Sequence, residues 1–241
     1  MVSGPSMSDL PGLEQVLGAA QALAVAFGSE QPYAVVGGAA CVVLGSTRLT
    51  VDVDVVVPKG QTRDARQLLR KSSDFVVQSR TNHTIFPSSP PVDVEIITPP
   101  AMFREPFDES TETIKVNGVR VLKPSLILNA KCGSIFGRAT TSKKDTDAED
   151  IRFLLNWCVD NRMDLTQSDV PNATKELVDA FIARYQGAEL WRNAGYDLGL
   201  GMVSVYLITR SPLATHYLPL SLLSRHRADK TDPSIGSWMQ G

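Results

Sequence analysis

Apolar residues recur at helical spacing near the N-terminus: Leu13, Val16, Leu17, Ala20, Leu23, Ala24 and Phe27 share one face, and Gly28 follows as a stop signal. This predicts an amphipathic helix over 10–27, after a loose Ser/Gly/Pro/Met-rich start at 1–8. The period then shortens. Residues 33–36 read as a strand interrupted by Gly37-Gly38, residues 39–44 as a short helix and 45–48 as a turn. The stretch 49–57 alternates, then becomes continuously apolar, and Pro58 ends it, which predicts a longer strand. A helix is expected over 62–72, with short strands at 75–79 and 84–86. Proline pairs at 90–91 and 99–100 bracket a further strand over 92–97. Residues 114–122, with Asn117-Gly118 inside them, have the pattern of a β-hairpin.

The texture changes near Lys123. Pro124 suits a helix start, and helices are predicted over 125–136, 145–159 and 174–185, with a polar loop at 137–144 between the first two. From Gly195 onward the pattern is ambiguous; 203–208 reads equally as strand or helix, and the last residues as a tail. The whole is an α/β (α+β) chain: a small mixed sheet flanked by helices, with a mostly helical C-terminal part.

Composition narrows the class. The 241 residues suit one domain with an appendage or two small domains. With 43% hydrophobic and 21% charged residues, the chain is neither disordered nor collagen-like nor a long coiled coil. Twenty-four basic and 26 acidic side chains leave a net charge of −2, unlike a general nucleic-acid coat protein, although a local basic patch remains compatible. Cys41, Cys132 and Cys158 lie far apart without Cys-x-x-Cys spacing, which indicates neither a zinc site nor a disulfide framework and fits a reducing compartment. The N-terminus has no signal-peptide pattern, and the longest small-apolar run, 34–45, is too short to span a bilayer. The expectation is a soluble cytoplasmic protein with no membrane partner.

The chemistry concentrates around Asp52 and Asp54. Two apart on a strand, they point to one face, and Val51, Val53 and Val55 to the other. Two carboxylates ~4 Å apart repel by about 4 kcal/mol at an effective dielectric near 20. Such a pair beside a valine core is costly unless a cation lies between them, and oxygen ligands suit Mg²⁺ or Mn²⁺. The plainer alternative is a solvated face or charges guarding an edge strand. Asp93 and Glu95 share a face of the 92–97 strand; if the two strands are neighbours, three acids converge, as two-metal phosphoryl transfer requires. Gly37-Gly38, between a strand and a helix, lets a ligand approach the backbone or simply makes a tight turn.

Together, Gly37-Gly38, thirteen further residues, Asp52-Val53-Asp54-Val55 and then Asp93 resemble the nucleotidyltransferase superfamily that includes DNA polymerase β. The closer resemblance is to its small AbiEii-like and aminoglycoside-adenylyltransferase-like branch. There a Gly-x-x-Arg-x-Thr-x-Asp-h-Asp string is common, matched here by Gly45, Arg48, Thr50, Asp52 and Asp54. That branch also carries a helical Lys and a Lys-x-x-Asp-x-x-Asp-Ile string, in whose places stand Lys131 and the stretch from Lys144 through Asp147 and Asp150 to Ile151. The likeness spans about 33–157.

The resemblance implies a catalytic α/β core over 9–123, a helical part closing the cleft over 124–195 and an extension of uncertain structure over 196–241. It implies metal-dependent transfer of a nucleoside monophosphate from an NTP to an acceptor hydroxyl or phosphate, with release of pyrophosphate. Asp52, Asp54 and Asp93 would hold Mg²⁺ or Mn²⁺ and act in catalysis; Glu95 is the alternative to Asp93. Gly37, Gly38, Arg48 and Lys131 would bind the nucleotide, although Arg48 has the alternative of pairing with Asp52 or Asp54. For Asp147 and Asp150, capping a helix N-terminus is favoured over substrate contact. The second glycine is often Ser in the family, so Gly38 is an ordinary variant. A small-molecule or protein acceptor is slightly favoured over RNA; oligomeric state is not readable.

His83, His216 and His226 read as isolated surface or satisfied histidines. Trp157, Trp191 and Trp238 read as packing or tail residues. The cluster of Arg225, Arg227 and Lys230 around His226 reads as a solvated tail. Two other function classes stay open: a catalytically degenerate nucleotide-binding or protein-interaction module of the same fold, and a toxin-like transferase neutralised by a partner protein.

Overall fold

The computed structural model describes residues 10–203. The start at 1–8, the 203–208 element beyond Val203, His216, the cluster around His226, and Trp238 lie outside the described residues.

The chain runs α1 (Leu13–Phe27), β1 (Ala34–Val36), α2 (Gly37–Val43), β2 (Asp52–Val56), α3 (Thr62–Lys71), β3 (Val76–Val77), β4 (Thr84–Phe86), β5 (Val92–Ile97), β6 (Thr113–Val116) and β7 (Val119–Leu122). There follow α4 (Pro124–Ser134), a 3₁₀ turn (Ile135–Gly137), α5 (Thr141–Asp160), α6 (Lys175–Tyr185), α7 (Ala188–Asn193), β8 (Tyr196–Asp197) and β9 (Met202–Val203). Seven strands form one mixed sheet in the order β3-β4-β5-β2-β1-β7-β6, and β8-β9 form a separate ribbon. β2 runs parallel to β5, and β1 parallel to β7; the other neighbours are antiparallel. This is the α/β class with a small mixed sheet that the sequence pattern predicts.

The centre of the sheet positions everything that follows. In β2, Val53 and Val55 are completely buried while Asp52 and Asp54 are not; in β5, Val92 and Val94 are buried while Asp93 and Glu95 are exposed. Strand alternation thus separates a valine face from an acid face. α1 rests on β2, β5 and β7, and α3 on β5. The buried residues of α1, among them Val16, Ala19, Ala20 and Leu23, are spaced as the period predicts, and the alanines let helix and sheet approach closely.

Several boundaries differ from expectation. β2 begins at Asp52 rather than Leu49, because its ladder partners end there: Val36 pairs with Asp54 on one side and Asp93 with Asp52 on the other. Leu49 and Val51 are exposed just before it. Gly37 and Gly38 lie inside the first turn of α2 rather than between elements. The expected 137–144 loop is cut short because α5 starts at Thr141, where the Thr140 hydroxyl accepts a hydrogen bond from the Lys143 amide. The β8-β9 ribbon arises in the ambiguous stretch, and α7 just before it, where no element is expected; Trp191 of α7 and Tyr196 of β8, both nearly fully buried, pack edge-to-face. Among the described residues, no helix is long and apolar enough to cross a membrane.

Candidate active site

The parallel register sets Asp52 beside Asp93, and Asp54 beside Glu95. These two rungs share one face and lie about 6.6 Å apart along the strands, at about 3.3 Å per residue. A cleft of about 660 Å³ opens over the second rung; Gly37, Asp54, Glu95, Lys131, Ser134 and Arg138 are among its walls. Asp52, Asp93, Gly38 and Arg48 are not among them; the expected neighbouring of the two acid strands does occur, with Asp52 and Asp93 on the adjacent rung.

Asp54 is the most perturbed carboxylate here. Burial, then the charges of Asp52 and Glu95, raise it from the ordinary 3.8 to about 7, against the weaker opposing pull of Lys131 and Arg138. The acid that Asp54 meets across the strands is Glu95. Asp93, the first choice by resemblance, instead lies against the ring of His83, with Nε2 3.0 Å from Oδ1. His83 is thus a surface histidine with a partner, as expected, and that partner places it at the edge of the acid face. On the other rung, the Thr50 hydroxyl donates to Asp52 at 3.1 Å.

The glycine pair makes room for this chain's own side chains. Gly37 has φ +64°, a conformation that favours glycine, and a Cβ there would sit 2.5 Å from Asp54 Oδ2. A Cβ on Gly38 would collide with the Arg48 guanidinium and lie 2.8 Å from Thr50 Oγ1. The space expected above Gly38 for a ligand thus holds Arg48.

Arg48 pairs with neither Asp52 nor Asp54. Its Nε and Nη2 donate to the two oxygens of Asp150 at 2.5 and 3.0 Å, and its Nη1 donates to the Leu49 carbonyl at 2.6 Å. Lys131 is buried and ion-paired with both Asp150 and Asp147, each at 2.7 Å. Arg138 closes the chain of charges, with Nε 2.6 Å from Asp147. Burial opposes the charge on Lys131, but Asp150 and Asp147 outweigh it and hold the ammonium pKa above its ordinary value. Burial likewise pushes Asp147 up, while the Arg138 hydrogen bond and the Lys131 charge win and hold it below the ordinary value.

This corrects the capping expectation for Asp147 and Asp150. Thr140 caps α5, and both aspartates are buried in the helix interior as partners of three cations. Arg138 is the residue that sequence reasoning missed. It sat in an apparent polar loop, and its partner, Asp147, follows nine residues later; the Arg-then-Asp pairing carries no periodic signal.

The donor set bears on the expected metal. Asp52 and Asp54 offer only carboxylate oxygens, and their repulsion is what a hard divalent cation would relieve, so as a pair they fit Mg²⁺ or Mn²⁺. No closed cage is formed: among the described residues, no group of three or more His, Cys, Asp or Glu side chains is placed to hold a metal ion.

No protein-family model matches the chain, and no curated protein does. Solved structures do. An antigenic nucleotidyltransferase-like protein from Paracoccidioides brasiliensis matches with a TM-score of 0.57 at 24% identity, over 81% of this chain and 97% of that one. ANT(2")-Ia, solved in complex with adenylyl-2"-tobramycin, gives 0.42 at 17% identity, over 71% and 99%. JHP933 from Helicobacter pylori gives 0.45 at 17%, over 73% and 80%. The chain has a nucleotidyltransferase fold, as the resemblance of its motifs implies. At these identities the likeness establishes fold alone.

Proposed function

We propose that the protein is a nucleotidyltransferase that moves a nucleoside monophosphate from an NTP to an acceptor hydroxyl or phosphate and releases pyrophosphate. One observation carries this reading: a single cleft on a nucleotidyltransferase fold places a strained acid, Asp54, in the same walls as the cations Lys131 and Arg138. Asp52 and Asp54 would hold Mg²⁺ or Mn²⁺, which would neutralise triphosphate charge and acidify the acceptor. Lys131 and Arg138 would bind the phosphates, and the Gly37 backbone, at the start of α2, would lie against them. Glu95, beside Asp54, is better placed than Asp93 to take the acceptor proton. Arg48 acts from behind Gly38 through Asp150 rather than on phosphate directly. A small molecule or protein is the favoured acceptor, in view of the chain's near-neutral charge.

The test offers α-phosphate-labelled NTPs with Mg²⁺ to panels of hydroxyl-bearing small molecules and of proteins. The wild type is expected to give labelled product and pyrophosphate in equal amounts. Asp52→Asn is expected to give neither, and full transfer by that variant would overturn the mechanism. One observation favours a second reading, a non-catalytic nucleotide-binding module: Asp93, the expected third acid, is engaged by His83. That reading expects NTP binding that persists in EDTA and no turnover with Mg²⁺.

A further inference from the structure

Asp147 and Asp150 stand three apart on α5 and are almost completely buried, at 2% and 0% exposure. All four of their oxygens are engaged by side chains from other segments. Asp150 receives Arg48, from the turn before β2, and Lys131, from α4. Asp147 receives Lys131, Arg138 from the segment before α5, and the Ser134 hydroxyl at 3.2 Å. Two adjacent carboxylates thus gather three cations, and the five groups carry a net charge of +1.

Only two of these cations reach the cleft. Lys131 and Arg138 line it; Arg48 does not. The Lys131 ammonium has three donors, and two of them face Asp147 and Asp150. Arg138 grips Asp147 with Nε and, at 3.4 Å, Nη2, so part of its five-donor fork remains for a ligand. Its side chain is 39% exposed where that of Lys131 is 9%. Both long side chains are therefore held in one arrangement before any ligand arrives, and ordering that would otherwise oppose binding is already complete.

We propose that Asp147 and Asp150 are positioning residues, which fix Lys131 and Arg138 on the cleft wall as a ready-made clamp for the polyphosphate of a nucleotide. The proposal rests on the nucleotide reading above, and it assigns the clamp to α5 rather than to the glycine turn. Asp150 also ties Arg48, from the turn before the acid strand, to the same group of charges.

The sign of one measurement separates positioning from plain electrostatics. Asp147→Asn removes a negative charge from a cluster next to an anion site, so charge alone makes anions bind more tightly. Loss of positioning makes them bind more weakly. Inorganic tripolyphosphate, titrated calorimetrically at fixed Mg²⁺ and well below the melting temperature, is the probe. The expected result is at least a tenfold loss of affinity in Asp147→Asn. Unchanged or tighter binding would overturn the proposal, as would a wild type that does not bind tripolyphosphate. If Asp147→Asn does not fold, Asp147→Glu serves instead: it keeps the charge but displaces both cations, and about a threefold or greater loss is expected, with wild-type affinity overturning the proposal. If the wild type passes this test yet transfers no nucleotide, the clamp stands and the transferase reading alone falls.

Discussion

At the scale of single residues, Asp54 is the pivot. Its carboxyl titrates near 7 in the fold, raised by burial and then by Asp52 and Glu95, and near 4 in an unfolded chain. Between those values the folded chain binds more protons than the unfolded one, so this group makes stability fall as pH rises through the window. The effect has a ceiling of about 1.4 kcal/mol per pH unit. Asp54→Asn, melted without divalent cation, is therefore expected to gain more stability over wild type at about pH 8 than at about pH 5. Equal gains at both would show that the carboxylate is not strained. The acid pair was legible because a two-residue spacing on a β-branched strand fixes a common face. The choice between Asp93 and Glu95 was not, because it depends on strand register and on His83. Nor was the service Gly38 performs for Arg48, a residue ten positions away whose guanidinium fills the space above it.

At the scale of elements, α5 matters most, since it carries both clamp aspartates. Its start depends on Thr140, whose hydroxyl accepts from the Lys143 amide at 3.3 Å. Thr140→Ala is expected to cost about 1 kcal/mol, or roughly 2–4 °C in melting temperature for a chain of this size. Because Asp147 lies nearly two turns further on, tripolyphosphate affinity should not change; a large loss would mean that fraying reaches the clamp. The helix was expected to begin at Asp145, since the polar run 137–144 has no apolar period, and only the cap reveals the extra turn. Elements with a strong period, such as α1, α3 and the β6-β7 hairpin with its Asn117-Gly118 turn, were readable. Short elements fixed by tertiary partners were not. α7 and the β8-β9 ribbon are held by the packing of Phe181, Trp191 and Tyr196, which no local pattern announces.

At the scale of the whole molecule, two constructions meet at one cleft. The sheet supplies an acid face by strand alternation, with its valines sealed on the other side by helices. The α4-α5 region supplies the cleft cations Lys131 and Arg138, held by Asp147 and Asp150 of α5, and Asp150 also holds Arg48, 102 residues away. Short-range spacing marks the sheet acids, and the motif resemblance marks Lys131 and the string with Asp147 and Asp150; Arg138 and the pairing of Arg48 with Asp150 emerge only from the fold. Nucleotide binding should need both halves, and that is the central claim. The most direct test follows the melting temperature with each NTP, with and without Mg²⁺ or Mn²⁺. Ligand at about 100 times its dissociation constant should add roughly 2.7 kcal/mol, a shift of several degrees. The expected result is a metal-dependent shift with at least one nucleotide, lost in Asp52→Asn. No shift with any NTP, or one that survives both EDTA and Asp52→Asn, would contradict the account.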